Sequence, residues 1–345
     1  MKRAIVVASI ALLVGCPKDP TPEPSGPASW RTVLDQPKLD RAVLSTWGTS
    51  ERDVFVVGGP LGNDGFSTLA YHFDGSAWHD LAPGGTETFW WVNGSSSTDV
   101  WMVGTAGRIA HWDGKAFKAY ASGTTATLWG VFAFSSSDAW AVGGSPESGT
   151  TKPNDVVLHF DGTTWTPEVL PGAPLGRSLF KVWGTSSSDL YVVGEAGTIW
   201  HRKGSTWDLE SKTPLATGTL FTVTGCSAHE VYAVGGNDVL RSDGTTWQKL
   251  VVDLSSGVNG VACVAPGELA IVGFGGLKQR FSGGKWIDEF SVAPFTDLHA
   301  AWGDPASKSF WAVGGDFLSE AAPMKARRGV VARFGVGAMG GDVVK

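Results

Sequence analysis

Long apolar runs are scarce in this 345-residue chain. The one at the start, Ala4 to Gly15, is too short to cross a bilayer as a helix. No stretch sustains the 3.6-residue apolar spacing of an amphipathic helix, which argues against a helical bundle. Charge is sparse as well: 17% of residues are charged, and the formal net charge is −6. A weakly acidic surface of this kind argues against nucleic acid or anionic lipid as the main partner. Catalytic signatures are missing too, with no G-x-S-x-G elbow, H-E-x-x-H, P-loop or Asp-rich calcium loop. Gly335 to Gly340 spells G-x-G-x-x-G, but a phosphate cradle needs a helix after its glycines, and only Gly341 to Lys345 follow. The pattern implies no cofactor and no bound metal. What the chain does have is 47 glycines and 17 tryptophans, a composition that with low charge points to an all-β domain.

The apolar run follows Lys2 and Arg3 and ends at Cys16, the layout of a secretory signal. Its close, Leu13-Val14-Gly15-Cys16, resembles the lipobox of bacterial lipoproteins. That resemblance implies cleavage before Cys16 and a diacylglycerol on its thiol, so the bilayer is a partner through this anchor alone. Pro17 rather than Asp follows Cys16, which in that family favours the outer over the inner membrane of the cell envelope. Residues 1–15 are then the signal peptide. Residues 16–28, rich in proline, form a semi-rigid tether.

From residue 29 onward the sequence repeats itself with a period near forty, the mark of a propeller. An apolar element closing in Val-Gly recurs seven times, at Gly58, Gly104, Gly143, Gly194, Gly235, Gly273 and Gly314. A strand ending in a small residue precedes each element. A further strand follows each, leading to a turn such as Phe73-Asp74-Gly75, where Asp-Gly predicts a hairpin with both central residues at positive φ. An aromatic comes after the turn: Trp78, Phe117, Trp165, Trp207, Trp247 or Trp286. The seventh copy lacks this piece, and Ser29-Trp30-Arg31 at the N-terminus supplies a stray one. The pattern predicts an all-β, seven-bladed β-propeller of four-stranded antiparallel blades over residues 29–335. The N-terminal strand closes the last blade, because closure removes exposed sheet edges. Residues 336–345 read as a flexible tail, and the protein as a monomer.

The runs VVGG…YHFDGSAW and AVGG…LHFDGTTW resemble kelch repeats. RSDGTTW, Arg241 to Trp247, is similar to the Asp-box turn of sialidases and photosystem-assembly-factor propellers, one residue short of the usual pattern. WGTSSSDLYVVG most resembles propeller lipoproteins of myxobacteria and related bacteria, largely of unknown function. These resemblances cover almost the whole chain after the signal. They imply a fold and leave the function open, since one scaffold hosts many activities. The arginine cluster and Tyr/Glu nucleophile pair of sialidases have no match.

Recurring residues are read first as scaffold. Asp53, Asp99, Asp138, Asp189, Glu230 and Glu268 share one repeat position; His72, His111, His159, His201, Arg241, Arg280 and Arg333 share another. Four histidines in register suggest metal, but on third strands of separate blades they stand about 10 Å apart, too far to share an ion. Acid and base facing each other across the second and third strands is the better reading. Cys226 and Cys263 fall at the same end of neighbouring innermost strands. With Cys16 committed to lipid, they form an expected disulfide between blades 5 and 6, the alternative being two buried free thiols. Trp90, Trp129, Phe180 and Phe221 share a position where the first strand begins, near the channel mouth, and serve either core packing or ligand contact.

Where the period breaks, function is sought. The acid-to-base spacing is 11 or 12 residues in blades 2, 4, 5 and 6, and 19, 21 and 24 in blades 1, 3 and 7. Each expansion lies between the second and third strands, on the face that also carries the blade-to-blade connections. Binding residues concentrate on such loops, although idle insertions also occur there. The candidate partner-binding set is therefore Asn63, Asp64, Trp90, Trp129, Glu147, Lys152, Asp316, Glu320, Lys325, Arg327 and Arg328. Two functions fit. One is a non-enzymatic binding or scaffold lipoprotein for a protein or glycan at the cell envelope. The other is a hydrolase or lyase acting on polysaccharide with acids such as Glu147, Asp316 or Glu320, which needs two carboxylates within about 5–10 Å. The absence of any catalytic signature favours the first.

The lipobox resemblance predicts that Cys16→Ser moves the protein from the membrane to the soluble fraction or leaves uncleaved precursor. Mass spectrometry of the native N-terminus checks it; an unacylated Cys16 refutes it.

Overall fold

A computed structural model describes residues 26–35, 39–61, 65–145, 154–172, 176–212, 215–316 and 327–344. Seven sheets stand in a ring, each with its first strand innermost. The innermost strands of blades 1 to 7 are Val43–Ser50, Phe89–Ser96, Thr127–Ser135, Leu179–Ser186, Thr222–Ser227, Val258–Ala265 and Leu298–Asp304. Blade 7 is completed from the other end of the chain. Ser29–Leu34 runs antiparallel to Val330–Gly335, with Trp30 opposite Phe334. A second tie spans the junction: Arg333 of blade 7 pairs with Glu51 in the first turn of blade 1.

Second strands such as Asp99–Gly104 and Glu230–Gly235 are buried along their whole length. Both faces of a blade are covered by neighbouring blades, so these strands carry continuous rather than alternating apolar residues. Fourth strands such as Trp247–Lys249 face solvent except at their first aromatic. That aromatic meets the second strand of the preceding blade. Trp78 lies 6.1 Å from Trp311, Trp165 lies 5.3 Å from Trp101, and Trp207 lies 5.9 Å from Trp140. Near the channel the spacing tightens, and the small residue ending each innermost strand follows from that. Trp183 of blade 4 lies over Gly225 of blade 5, where an added Cβ would stand 2.4 Å from the indole; Trp47 does the same to Gly94 at 2.9 Å. Cys226 and Cys263 form a disulfide across blades 5 and 6, with Cα atoms 5.5 Å apart.

Two details differ from the expectations. In the Asp-Gly turns only the glycine takes positive φ, 90° at both Gly75 and Gly244. The aspartate keeps an ordinary backbone and caps the turn with its side chain: Asp74 Oδ1 accepts from the Ser76 and Ala77 N–H groups at 2.8 Å. The Ser76 hydroxyl, donating to the same oxygen at 2.7 Å, and then these backbone N–H groups and His79 stabilise the ionised form, so the Asp74 carboxyl is held well below the usual carboxylate range. Asp161 is held the same way, near 2. The second difference is at the C-terminus. The segment expected as a flexible tail adds a fifth strand to blade 1, Val343–Val344, parallel to Trp78–Asp80, while Met339 and Val343 pack against that blade's core.

Removing Ser29–Leu34 would uncover the edge of Val330–Gly335 in blade 7 and abolish the Trp30–Phe334 contact. Deletion of residues 29–34 is expected to lower Tm by at least about 10 °C or to cause aggregation. An unchanged Tm in a calorimetric scan refutes ring closure.

Candidate functional site

The innermost strands are irregular at one shared place. Two residues on the first strand oppose one on the second at Leu44, Trp90, Trp129, Phe180, Asn259 and His299, a β-bulge repeated around the ring. Phe221 occupies the same place in blade 5, its N–H donating to Val234 O at 2.7 Å. A bulge re-aims a side chain out of the pleat. Here it turns this row into the channel mouth, on the face carrying the long loops.

The turned side chains build a cup of about 190 Å³. His299, Trp90, Trp129, Phe180 and Phe221 follow one another around its wall, with ring centroids 5.8, 4.6, 5.4 and 5.8 Å apart in that order. Trp90 Nε1 donates to Thr105 Oγ1 at 3.2 Å and Trp129 Nε1 to Gly144 O at 3.0 Å, which fixes both indoles. Phe274 overhangs from the loop after the second strand of blade 6.

Lys181 lies at the floor, 4% exposed. Its Nζ donates to Trp129 O at 2.7 Å and sits 4.1 Å over the Trp91 ring. No carboxylate lines the cup among the described residues. Burial penalises the ammonium and brings its pKa down to about 7. His299 Nδ1–H donates to Leu44 O at 2.5 Å; burial, then the nearby Lys181 charge, lowers its pKa to about 3, so the imidazole is neutral at physiological pH. The cup is thus an apolar, aromatic-walled recess with an amine at its base. It suits an apolar group that also presents an acceptor.

The other expected residues fall elsewhere. Arg327 is 3% exposed: its Nη2 donates to Leu61 O at 2.8 Å and its N–H to Asp40 O at 2.8 Å. It pins blade 7 to blade 1 and has no surface for a partner. Asp316 faces the exposed Arg328 at 3.2 Å, on the long-loop face. Cys16, Asn63, Asp64, Glu147, Lys152, Glu320 and Lys325 lie outside the described residues. The sequence pattern placed Trp90, Trp129, Phe180 and Phe221 near this mouth and did not single out Lys181, Asn259, Phe274 or His299. The usable signal was Lys181 itself, a lysine on an innermost strand, beside Phe180 in the aromatic column.

The acid–base columns are structural in blades 1 to 4. His72, His111, His159 and His201 meet Asp53, Asp99, Asp138 and Asp189 at 2.5, 2.6, 3.0 and 2.8 Å. His72, His159 and His201 also stack on the aromatic opposite, as His201 does on Tyr191 at 3.8 Å, and His111 meets Trp101 tilted at 4.4 Å. Farther round the pairing changes: Glu230 bonds the Tyr232 hydroxyl rather than Arg241, and Arg280 turns to Glu289 rather than Glu268, so the expected acid–base facing does not hold in blades 5 and 6. In blade 7, where Ser309 stands at the acid position, Arg333 turns to Glu51. No group of three His, Cys, Asp or Glu among the described residues is placed to share a metal ion.

No known family profile matches the chain, and no curated protein matches it. Solved structures do resemble it. YCF48 bound to a D1 peptide superposes with a TM-score of 0.62 at 13% identity, covering 90% of this chain and 97% of that one. The WD40 repeats of RRP9 give 0.67 at 11% identity, over 91% and 100%. A catalytically inactive virginiamycin B lyase from Staphylococcus aureus with quinupristin gives 0.66 at 12%, over 89% and 99%. At these identities the likeness is one of fold: the chain is a seven-bladed β-propeller, similar to WD40 propellers.

The depressed Lys181 predicts a specific pH dependence. Its folded pKa, about 7, lies below the unfolded value, so the unfolded state binds more protons between the two and stability rises with pH there. Relative to Lys181→Met, the wild type is expected to gain about 2–3 kcal/mol between pH 7 and 9.5. Parallel denaturation profiles for the two proteins across that window refute the placement of Lys181.

Proposed function

We propose that this chain is a lipid-anchored, extracytoplasmic binding propeller that holds a protein partner on its long-loop face, with an apolar side chain of the partner seated in the channel-mouth cup. The observation that carries this is the row of bulged aromatic residues around that mouth. A bulge repeated so that large rings converge at one opening has no role in closing the blades, which the Trp-over-Gly contacts already achieve. Aromatic anchors in a desolvated pocket dominate protein recognition. The peptide held by the YCF48 propeller supports a protein partner. A glycan fits less well: Trp90 meets Trp129 and Phe180 meets Phe221 edge to face, while Trp129 and Phe180 cover each other by stacking, which leaves little open flat surface for a sugar. A polysaccharide hydrolase or lyase would need converging carboxylates, and no described acid lines the cup. Residence in the envelope, by preference at the outer membrane, rests on Leu13-Val14-Gly15-Cys16 and Pro17.

Crosslinking in native membranes followed by mass spectrometry would identify the partner. Trp129→Ala is expected to reduce its capture at least tenfold, roughly 1.4 kcal/mol or more of binding. A matched edit on the tight-turn face, Lys115→Ala, should leave capture intact. Equal capture by wild type and Trp129→Ala overturns this site.

A further inference from the structure

Three of the seven seams between blades share one contact. Three residues after the fourth-strand tryptophan, blades 3, 4 and 6 carry Glu168, Glu210 and Glu289. Each accepts a hydrogen bond from the outer-strand tryptophan of the next blade: Trp207 Nε1 at 3.2 Å, Trp247 Nε1 at 2.7 Å and Trp30 Nε1 at 2.6 Å. Two of these acids also hold the base on their own blade's third strand. Glu210 takes His201 at 2.8 Å, and Glu289 takes Arg280 at 2.8 Å. One carboxylate thus satisfies an indole N–H and a basic side chain together.

Blades 1, 2, 5 and 7 lack this glutamate. In blades 1, 2 and 7 the third-strand base has another acid, Asp53, Asp99 or Glu51, and blade 5 is the one among them whose base has no ion pair with a described residue. Three residues after Trp247 stands Leu250. The two groups such an acid would serve are both present, Trp286 of blade 6 and Arg241 of blade 5. Arg241 forms no ion pair with a described residue and lies beside the Tyr232 hydroxyl. Glu230 stands on the same wall, but its carboxylate is already engaged by that hydroxyl at 2.7 Å and by Gly267 N–H at 2.9 Å. The rings do not close the seam either. Where Tyr191 and Trp247 meet at 5.6 Å one seam earlier, Trp286 instead leans on Phe281 at 5.3 Å. Between Tyr232 and Trp286 a cleft of about 390 Å³ remains, within the size range of small-molecule sites. Leu250, Phe281 and the 98%-exposed Val251 give it an apolar side.

We propose that this cleft binds a small amphipathic carboxylate whose carboxyl group takes the place of the missing glutamate, between Arg241 and Trp286, with its apolar body against Leu250, Val251 and Phe281. The site is on the flank of the ring, apart from the channel mouth, and does not depend on the reading given for that mouth. An arginine beside an apolar wall discriminates by charge as well as shape: the acid binds and its alcohol analogue does not.

The test uses purified full-length protein, with 3-phenylpropionate and 3-phenylpropan-1-ol as probes. Calorimetry is paired with the indole N–H signal of Trp286, assigned by its loss in Trp286→Phe. Saturable binding of the acid that shifts this signal, without binding of the alcohol, is expected. Leu250→Glu supplies the carboxylate from within and should weaken the acid at least tenfold at unchanged Tm; Arg241→Gln should weaken it comparably and keeps the test sound if the first variant folds poorly. No saturable binding below about 10 mM, a level weaker than specific recognition, overturns the proposal. Equal affinity for acid and alcohol, or affinity unchanged in both variants, overturns it as well.

Discussion

The contact on which the ring depends is an indole lying on the backbone of the next blade. Seven sheets can converge on one axis only if their innermost strands approach more closely than two layers of side chains allow. Trp47 over Gly94 and Trp183 over Gly225 achieve this by setting a large flat group against a residue with none. In the outer half of each blade the spacing opens, and a fourth-strand tryptophan fills it, as Trp78 does against Trp311. The glycine at the centre and the tryptophan at the rim are two answers to the same wedge-shaped gap. That is why both recur with the period, and why most of the tryptophans are packing residues.

Most of this architecture was legible because a propeller writes each contact several times over. The Val-Gly element, the Asp-Gly turn and the stray Trp30 together specified blade number, strand number and closure, and Trp30 does pair with Phe334. The turn conformation was misread for a local reason. Asp-Gly also occurs where aspartate acts through its side chain, and Asp74 is such a case. The bulge was invisible, since an extra residue in a strand leaves no mark in a sequence whose repeats all contain it. Trp90 and Trp129 could be placed near the mouth, but the turn that aims them there could not. Lys181 was hidden for another reason: its burial depends on Trp91 of blade 2 and Trp129 of blade 3 together, a convergence of three blades that no single repeat records.

Strand ends that pair with nothing local are equally hard to read. Val343–Val344 offers only two residues, and it joins blade 1 because Met339 and Val343 find an apolar edge beside Trp78. Arg327 misled in the opposite direction. A basic residue in a long insertion reads as a surface contact, yet its guanidinium reaches Leu61 O across the junction of blades 7 and 1. Position in a loop predicts exposure only when nothing nearby needs a donor.

The cations of this protein separate scaffold from site more sharply than its acids do. Lys278 is fully buried, but Gly276 O and Pro294 O both accept from its ammonium, so it ties a loop to its blade and its neighbourhood is complete. Arg280 and Arg333 have glutamates, Glu289 and Glu51. Lys181 has a single carbonyl and a ring face, with no carboxylate lining the cup above it. Arg241 has a tyrosine hydroxyl whose proton is already directed to Glu230. Desolvating a cation without a counter-charge is unfavourable, and replacing it by an apolar residue of similar size would relieve the penalty. A scaffold shaped by stability alone would not keep such groups facing cavities while pairing their equivalents elsewhere. The two open positions share one character, incomplete electrostatics against a preformed apolar wall. That is the arrangement in which a ligand's acceptor adds more than it displaces, because the protein has already met the unfavourable part of the desolvation.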